Sequence, residues 1–444
     1  MATTQVPAGH LGNLNAEQEK KLQEFWKAVA GVSGWSEDEE TTALDAVKKA
    51  ATPEPEPEPE QSGGWGFSMF KKADASENSS KPAAREDKFG LNKQFDEIVA
   101  KQSAETIRES IWEMTKHDHP DILALRFLRA RKWDVQNALV MFITAVNWRK
   151  HEMKLDEDIM LNGEAGALHD EMNGNDEAKR VGKDFLAQLR MGKSFLHGAD
   201  KEGRPICIVR VRLHHGGEQT AESIEKYTVH IIETARLLIK PPVETATIIF
   251  DMTNFTLANM DYAPVKFMIK CFEANYPESL GAVLIQNSPW LFQGIWRVIR
   301  PWLDPVVASK VHFTNGRSGL EEFIAPSQIP KELGGDEDWE YKYIEPMENE
   351  NAAMKDTAAR DKILEERSGL MKEFQDATKI WIREGDSETG RQAREKRDSI
   401  ATQLKENYWK LDLYIRARSL YDRQGVIGAN GAINFYPNDA AIAK

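Results

Sequence analysis

The chain has 444 residues, of which 41% are hydrophobic, and a net charge of −13. That length allows about two to three domains around a sizeable core. The acidic balance excludes a phosphate-tracking nucleic-acid surface, which wants a basic excess. Two cysteines, Cys207 and Cys271, cannot build a disulfide framework and point to a reducing compartment.

The first segment, residues 1–30, carries one helix. Asn15 can cap it with Gln18 three residues on, and Leu22, Phe25, Trp26 and Val29 recur at helical spacing. There is no charged-then-apolar leader pattern, and no run of about 18 apolar residues anywhere. The expectation is a soluble, cytoplasmic protein whose contact with internal membranes is transient and peripheral. Residues 31–88 read as a disordered acidic insertion. From Gly31 to Glu60, nine acids face only Lys48 and Lys49, and Pro53 to Glu60 alternates Pro with Glu. Trp65, Phe67, Met69 and Phe70, followed by Lys71 and Lys72, fit either a membrane-docking segment or a chance apolar patch.

Residues 89–192 form a helical lobe. Its clearest element is an amphipathic helix over Val135 to Lys150, capped by Asp134 and preceded by Pro120 to Trp133 with Arg126, Arg129 and Arg131. A helix C-terminus accounts for one or two of these arginines through its free carbonyls, and less well for three. Residues 193–346 change to α/β. A turn at Asp200 to Gly203 leads into a β-rich run, Arg204 to Leu213, with Pro205 at its start. A helix over Ala221 to Ile239 follows, then a strand over Ala246 to Asp251, a helix over Pro264 to Tyr276, and strands at Ala282 to Gln286 and Lys310 to Thr314. This alternation implies a mixed, mostly parallel sheet with crossover helices, and ligands at its strand ends or beneath its cover.

Between the last two strands, Trp290 to Arg300 is a helix-length segment stopped by Pro301. Gln293, Arg297 and Arg300 share one stripe, whereas Trp290, Leu291, Phe292, Ile295, Trp296, Val298 and Ile299 make it apolar nearly all round. Such a helix must be covered on two sides. It is either a lid over a lipid cavity, with Gly294 and the prolines bearing the bend and Trp302 beside it, or an ordinary core helix. Residues 347–424 form a helical hairpin that packs back on the core or on a protein partner, and 425–444 a flexible tail. No Ser or Cys nucleophile motif occurs, His214-His215-Gly-Gly217 lacks partner ligands, and Gly428-Ala-Asn-Gly431 lacks the Lys-Ser/Thr of a phosphate loop. No catalytic residue, metal site or cofactor is assigned.

Three blocks taken together resemble the fungal Sec14-like phosphatidylinositol transfer proteins, which carry a CRAL-TRIO lipid-binding domain. They are Leu125-Arg-Phe-Leu-Arg-Ala-Arg-Lys-Trp-Asp-Val135, Asp200-Lys-Glu-Gly-Arg-Pro205, and Tyr276-Pro-Glu-Ser-Leu-Gly281 leading to Pro301-Trp-Leu-Asp-Pro-Val-Val-Ala-Ser-Lys310. The ending Asp412-Leu-Tyr-Ile-Arg-Ala-Arg-Ser-Leu-Tyr-Asp-Arg423 resembles the subgroup with a long helical tail. The resemblance implies a sheet flooring an apolar pocket, a gate helix over Trp290 to Arg300, and a phospholipid ligand bound by a monomer without catalysis. It also implies a phosphoinositol headgroup site at Arg131, Glu278 and Lys310, where Arg forks onto phosphate and Lys adds a point charge. Val307 stands where the family has a Thr. The family's polar phosphatidylcholine positions fall on Leu196, Cys207, Ala246 and Ile248, so the second ligand is expected to be more apolar, such as a sterol precursor.

Overall fold

In the computed structural model, residues 6–36 and 87–437 are described. The low-complexity stretch and the aromatic cluster at 65–70 lie outside them. Helix α1 (Ala16–Val32) begins with the capping box read from the sequence, Asn15 Oδ1 accepting the Gln18 N–H at 2.8 Å. Its apolar stripe packs on α2 (Leu91–Lys101), α3 (Ala104–Thr115), α4 (Pro120–Ala130) and α5 (Val135–Asn147), with Phe25, Phe127 and Phe142 in edge-on contact. The boundaries of α4 and α5 follow local chemistry. Pro120 fills the first turn of α4, where no donor is needed, and Asp134 accepts the Asn137 N–H at the start of α5.

Two helices, α6 (Met160–Asn173) and α7 (Asp176–Arg190), lead into the α/β region and were not distinguished in the sequence reading. Strand β1 (Ser194–Ala199) was missed as well, because Ser-Phe-Leu-His-Gly-Ala shows no alternation and is buried along most of both faces. It pairs antiparallel with β2 (Pro205–Arg210). The turn between them is held by Asp200, whose carboxylate accepts the Glu202 and Arg204 N–H groups, while Gly203 supplies a φ of +79°. Next come α8 (Ala221–Leu238), β3 (Ala246–Asp251), α9 (Tyr262–Lys270), β4 (Leu280–Gln286), α10 (Phe292–Ile299) and β5 (Val311–Thr314). The five strands lie in chain order, and every pairing after the first is parallel. One sheet face (Phe195, Ile206, Ile249, Leu284) is sealed by Leu320, Ile324 and Ile329. The other (Cys207, Ile248, Val283, Ile285) meets α8 and α10 and holds the site.

The C-terminal hairpin, α11 (Thr357–Glu384) and α12 (Glu388–Ile415), is no appendage. Phe374, Trp381, Ile400 and Leu404 share one core with α1 and α3 to α5. The expectation of a loose tail from Gly425 is corrected for residues 425–437: Val426 and Ile427 are buried against the sheet's functional face. Two adjacent apolar residues carry no period, so nothing in the sequence marks them as core.

His117, between α3 and α4, is buried against the Tyr408 and Trp409 rings of α12, at centroid distances of 5.4 and 5.3 Å. Burial pushes its pKa down to about 4, outweighing the pull of Asp118. The folded imidazole therefore stays neutral where the unfolded one protonates. Its contribution is complete above pH 6.5 and is lost as pH falls towards 4. Denaturant melts across that window should show a stability loss of about 3 kcal/mol from this residue. His117→Phe, which keeps the ring contacts, should flatten that slope.

Candidate functional site

The three separated sequence blocks meet at one place. Arg126 of α4 donates from Nη1 to the carbonyl of Glu278 at 2.9 Å and from Nη2 to the carbonyl of Glu244 at 2.5 Å. Arg204, after the Asp200 turn, lies flat on Gly281, where a Cβ would come within 2.5 Å of its side chain. Tyr276 donates its hydroxyl to Glu233 Oε1 at 2.9 Å. Glu233 is itself buried and paired with Arg149 at 2.7 Å and Lys116 at 2.8 Å. Burial alone would raise the Glu233 pKa, but Arg149 and Lys116 hold it well below the usual carboxylate range. The Tyr276–Gly281 segment is thus fixed from the lobe, the sheet and α8 at once. Glu278 sits in it with a φ of +54°, a conformation that costs a non-glycine residue and persists only where neighbours impose it.

Of the headgroup residues expected from the sequence, the fold brings Glu278 and Lys310 together. Glu278 Oε2 and Lys310 Nζ are 3.7 Å apart, with the side chains 27% and 22% exposed, so both remain reachable from solvent. Arg131 is the half-buried C-cap of α4, the helix whose Arg126 holds the Glu278 carbonyl. Val307 is partly buried against the core on the sheet's functional face.

Beside this motif a cavity of about 90 Å³ opens between α4, α8, the sheet and the end of α9. Its walls are mostly apolar, with Leu123, Phe127, Ile231, Ile239, Phe272 and Leu280 among them. Of the positions named for a second ligand, Cys207, Ala246 and Ile248 line it. Leu196 does not. It is buried beneath the C-terminal segment, its N–H donating to the Tyr421 hydroxyl at 2.7 Å. Burial pushes the Cys207 thiol up to about 12, so the thiolate is not a reactive group here.

The gate segment also departs from its expected form. The helix proper is Phe292–Ile299, two residues shorter at its start, and it is two-faced rather than covered on two sides. Phe292, Ile295 and Ile299 point inward, Phe292 meeting Phe255 edge-on at 5.7 Å. Gln293, Gly294, Arg297, Val298 and Arg300 point out, and Trp290 in the preceding turn is 87% exposed. Trp296 packs its ring on Phe313 at 5.4 Å, and Trp302 packs on Tyr262 at 5.4 Å. Beyond the helix, Lys88 bonds both Glu273 and the Trp302 carbonyl, while Glu273 accepts the Asp304 N–H at 2.5 Å. No residue of Trp290–Trp302 lines the cavity, and Phe292, Ile295 and Ile299 are packed in the core on the sheet's functional face. Apolar periodicity could not show this, since an inward Phe fits an open chamber or a filled one equally well.

No helix among the described residues is long and apolar enough to cross a membrane. Residues 92–144 match the CRAL/TRIO N-terminal domain, and residues 189–335 match the CRAL/TRIO domain. The chain is 39% identical over 453 residues to the phosphatidylinositol transfer protein CSR1 of Eremothecium gossypii, covering 96% of this chain and 100% of that one. A CRAL-TRIO domain-containing protein of Schizosaccharomyces pombe is 47% identical over 333 residues, covering 75% of this chain and 71% of that one. The Sec14 cytosolic factor of Schizosaccharomyces pombe is 28% identical over 233 residues, covering 48% of this chain and 74% of that one. With both domains matched and 96% of its length shared with such a relative, the chain belongs to the CRAL-TRIO family of Sec14-like proteins.

Proposed function

We propose that the protein extracts phosphatidylinositol from a bilayer and exchanges it for a second, more apolar lipid, without covalent chemistry. The observation that supports this reading is the Glu278–Lys310 pair beside a mostly apolar cavity, together with the helix α10, whose exposed face carries Arg297 and follows the exposed Trp290. A lipid leaving a bilayer exposes acyl surface at about 0.8 kcal/mol per CH₂, so a carrier must offer apolar surface as the tails emerge. A drug-sized ligand site spans roughly 300–1,000 Å³, and the cavity here is about 90 Å³. Loading therefore requires α10 to swing out, so that the space behind Phe292, Ile295 and Ile299 joins the cavity. Docking of Trp290, Trp296 and Trp302 into the membrane interface, with Arg297 and Arg300 on anionic headgroups, would favour the open form only at a membrane. The cytoplasm, with peripheral visits to internal membranes, is the compartment this cycle needs, and phosphoinositide signalling and membrane trafficking are the processes it would support.

Apolar residues at Cys207, Ala246 and Ile248 favour a second ligand without a choline phosphate. Mass spectrometry of lipids retained by the purified chain should find phosphatidylinositol and an apolar lipid. Abundant phosphatidylcholine would refute the assignment. Trp290→Ser removes a side chain that is 87% exposed and leaves the core alone. Transfer between vesicles should slow by about fivefold, because docking part of one aromatic side chain is worth on the order of 1 kcal/mol. Unchanged transfer would sink the docking role.

A further inference from the structure

Most polar side chains in the cavity wall are accounted for. Asp118 and Arg236 satisfy each other at 2.8 and 3.0 Å, and the Ser279 hydroxyl donates to the Tyr276 carbonyl. Two donors differ. Asn275 is 6% exposed, and its Nδ2, shut off from solvent, has no hydrogen-bond partner among the described residues. It ends the π-helical turn Cys271–Asn275, which widens the chain after α9 and sets Asn275 in the cavity wall. Arg126 is the second. Its hydrogen bonds go to two backbone carbonyls, those of Glu278 and Glu244. The nearby carboxylates are engaged elsewhere, Asp118 by Arg236 and Glu244 by Arg129 at 2.8 Å. A buried donor without an acceptor is costly in an apolar wall, and Arg126 adds a cation to that wall whose neighbouring carboxylates are each shared with another arginine.

We propose that Asn275 and Arg126 together anchor one oxygen acceptor, a hydroxyl or a carboxylate, at the end of an otherwise aliphatic ligand held in this cavity. The inference rests on reading the cavity as lipid-binding and adds what selects the second lipid: a hydrocarbon with one polar terminus is preferred over a pure hydrocarbon. The excess guanidinium favours a carboxylate at least as much as a hydroxyl.

The test uses the full chain and three probes of equal length, hexadecane, hexadecanol and hexadecanoate, each displacing a fluorescent fatty acyl reporter. In the unaltered protein, the alcohol and the acid should bind about tenfold more tightly than the alkane, the value of one well-placed buried hydrogen bond. Asn275→Leu should shrink that preference to about threefold or less. The near-isosteric Asn275→Asp, which replaces the donor by an acceptor and guards against a folding defect, should make hexadecanoate the weakest of the three. Alkane binding as tight as alcohol binding in the unaltered protein, or an undiminished preference in both variants, would overturn the anchor. Phosphatidylinositol transfer measured on the same samples keeps the two readings apart. Transfer with no polar preference removes the anchor alone, and polar preference without transfer removes the phosphatidylinositol reading alone.

Discussion

Lys310→Ala is expected to lower phosphatidylinositol transfer between vesicles by about tenfold to a hundredfold. Lys310 Nζ stands 3.7 Å from Glu278 Oε2, at the edge of the segment that Arg126, Arg204 and Tyr276 fix in place. A hydrogen bond to a charged group is worth about 1.5–3 kcal/mol, and each 1.4 kcal/mol is a factor of ten. The fold should barely notice the change, because a pair this exposed contributes only about 0–1 kcal/mol to stability. Lys310→Arg should keep much of the transfer, since it retains the charge and can fork onto phosphate. Exchange of the second lipid should persist in Lys310→Ala, because the cavity walls are untouched. If that variant melts like the parent and transfers phosphatidylinositol as fast, the headgroup assignment fails.

The second large effect concerns stability. Arg397 of α12 is fully buried and donates to both oxygens of Asp121, at 2.5 and 2.9 Å, and to the Thr378 hydroxyl at 2.8 Å. Its guanidinium also lies over the Phe374 and Trp381 rings at 4.6 and 4.3 Å. Burial alone would raise the Asp121 pKa, and Arg397 with Trp26 Nε1–H, at 2.7 Å, holds it below the usual carboxylate range. Arg397→Met leaves that carboxylate buried with the indole N–H as its remaining strong donor. The expected loss is about 3–5 kcal/mol, read as the shift in a denaturant melt. Arg397→Met combined with Asp121→Leu should recover most of it, because the orphaned charge is then gone. A single variant within about 1 kcal/mol of the parent would mean that α12 is not joined to the lobe in this way.

Much of this architecture is written locally. The capping box at Asn15 and Gln18, the Asp134 cap, the Pro120 start and the strand Ala246–Asp251 depend on neighbours within a few residues, so their positions follow from the sequence. The pairing of Glu278 with Lys310 was legible through the spaced blocks of a recognisable family. What those blocks did not show is what Arg126 and Arg204 do within them: one holds the Glu278 carbonyl and the other covers Gly281. A guanidinium bound to a backbone carbonyl more than a hundred residues away has no local signature.

Three features waited for the fold. The hairpin α11–α12 could have faced solvent, a partner or the lobe, and burial of Arg397 against Asp121 sets it on the lobe. Leu196 aligns with cavity positions along the sheet, yet Tyr421 covers it. Helix α10 has apolar side chains enough for two faces, yet one face packs in the core and the other points outward. The sequence by itself determined most of the elements and their order, because capping, periodicity and strand composition act over a few residues. The tertiary structure alone decided which apolar surfaces fill one another and which line a cavity. Burial is a property of the atoms that arrive from elsewhere in the chain, and no short stretch contains them.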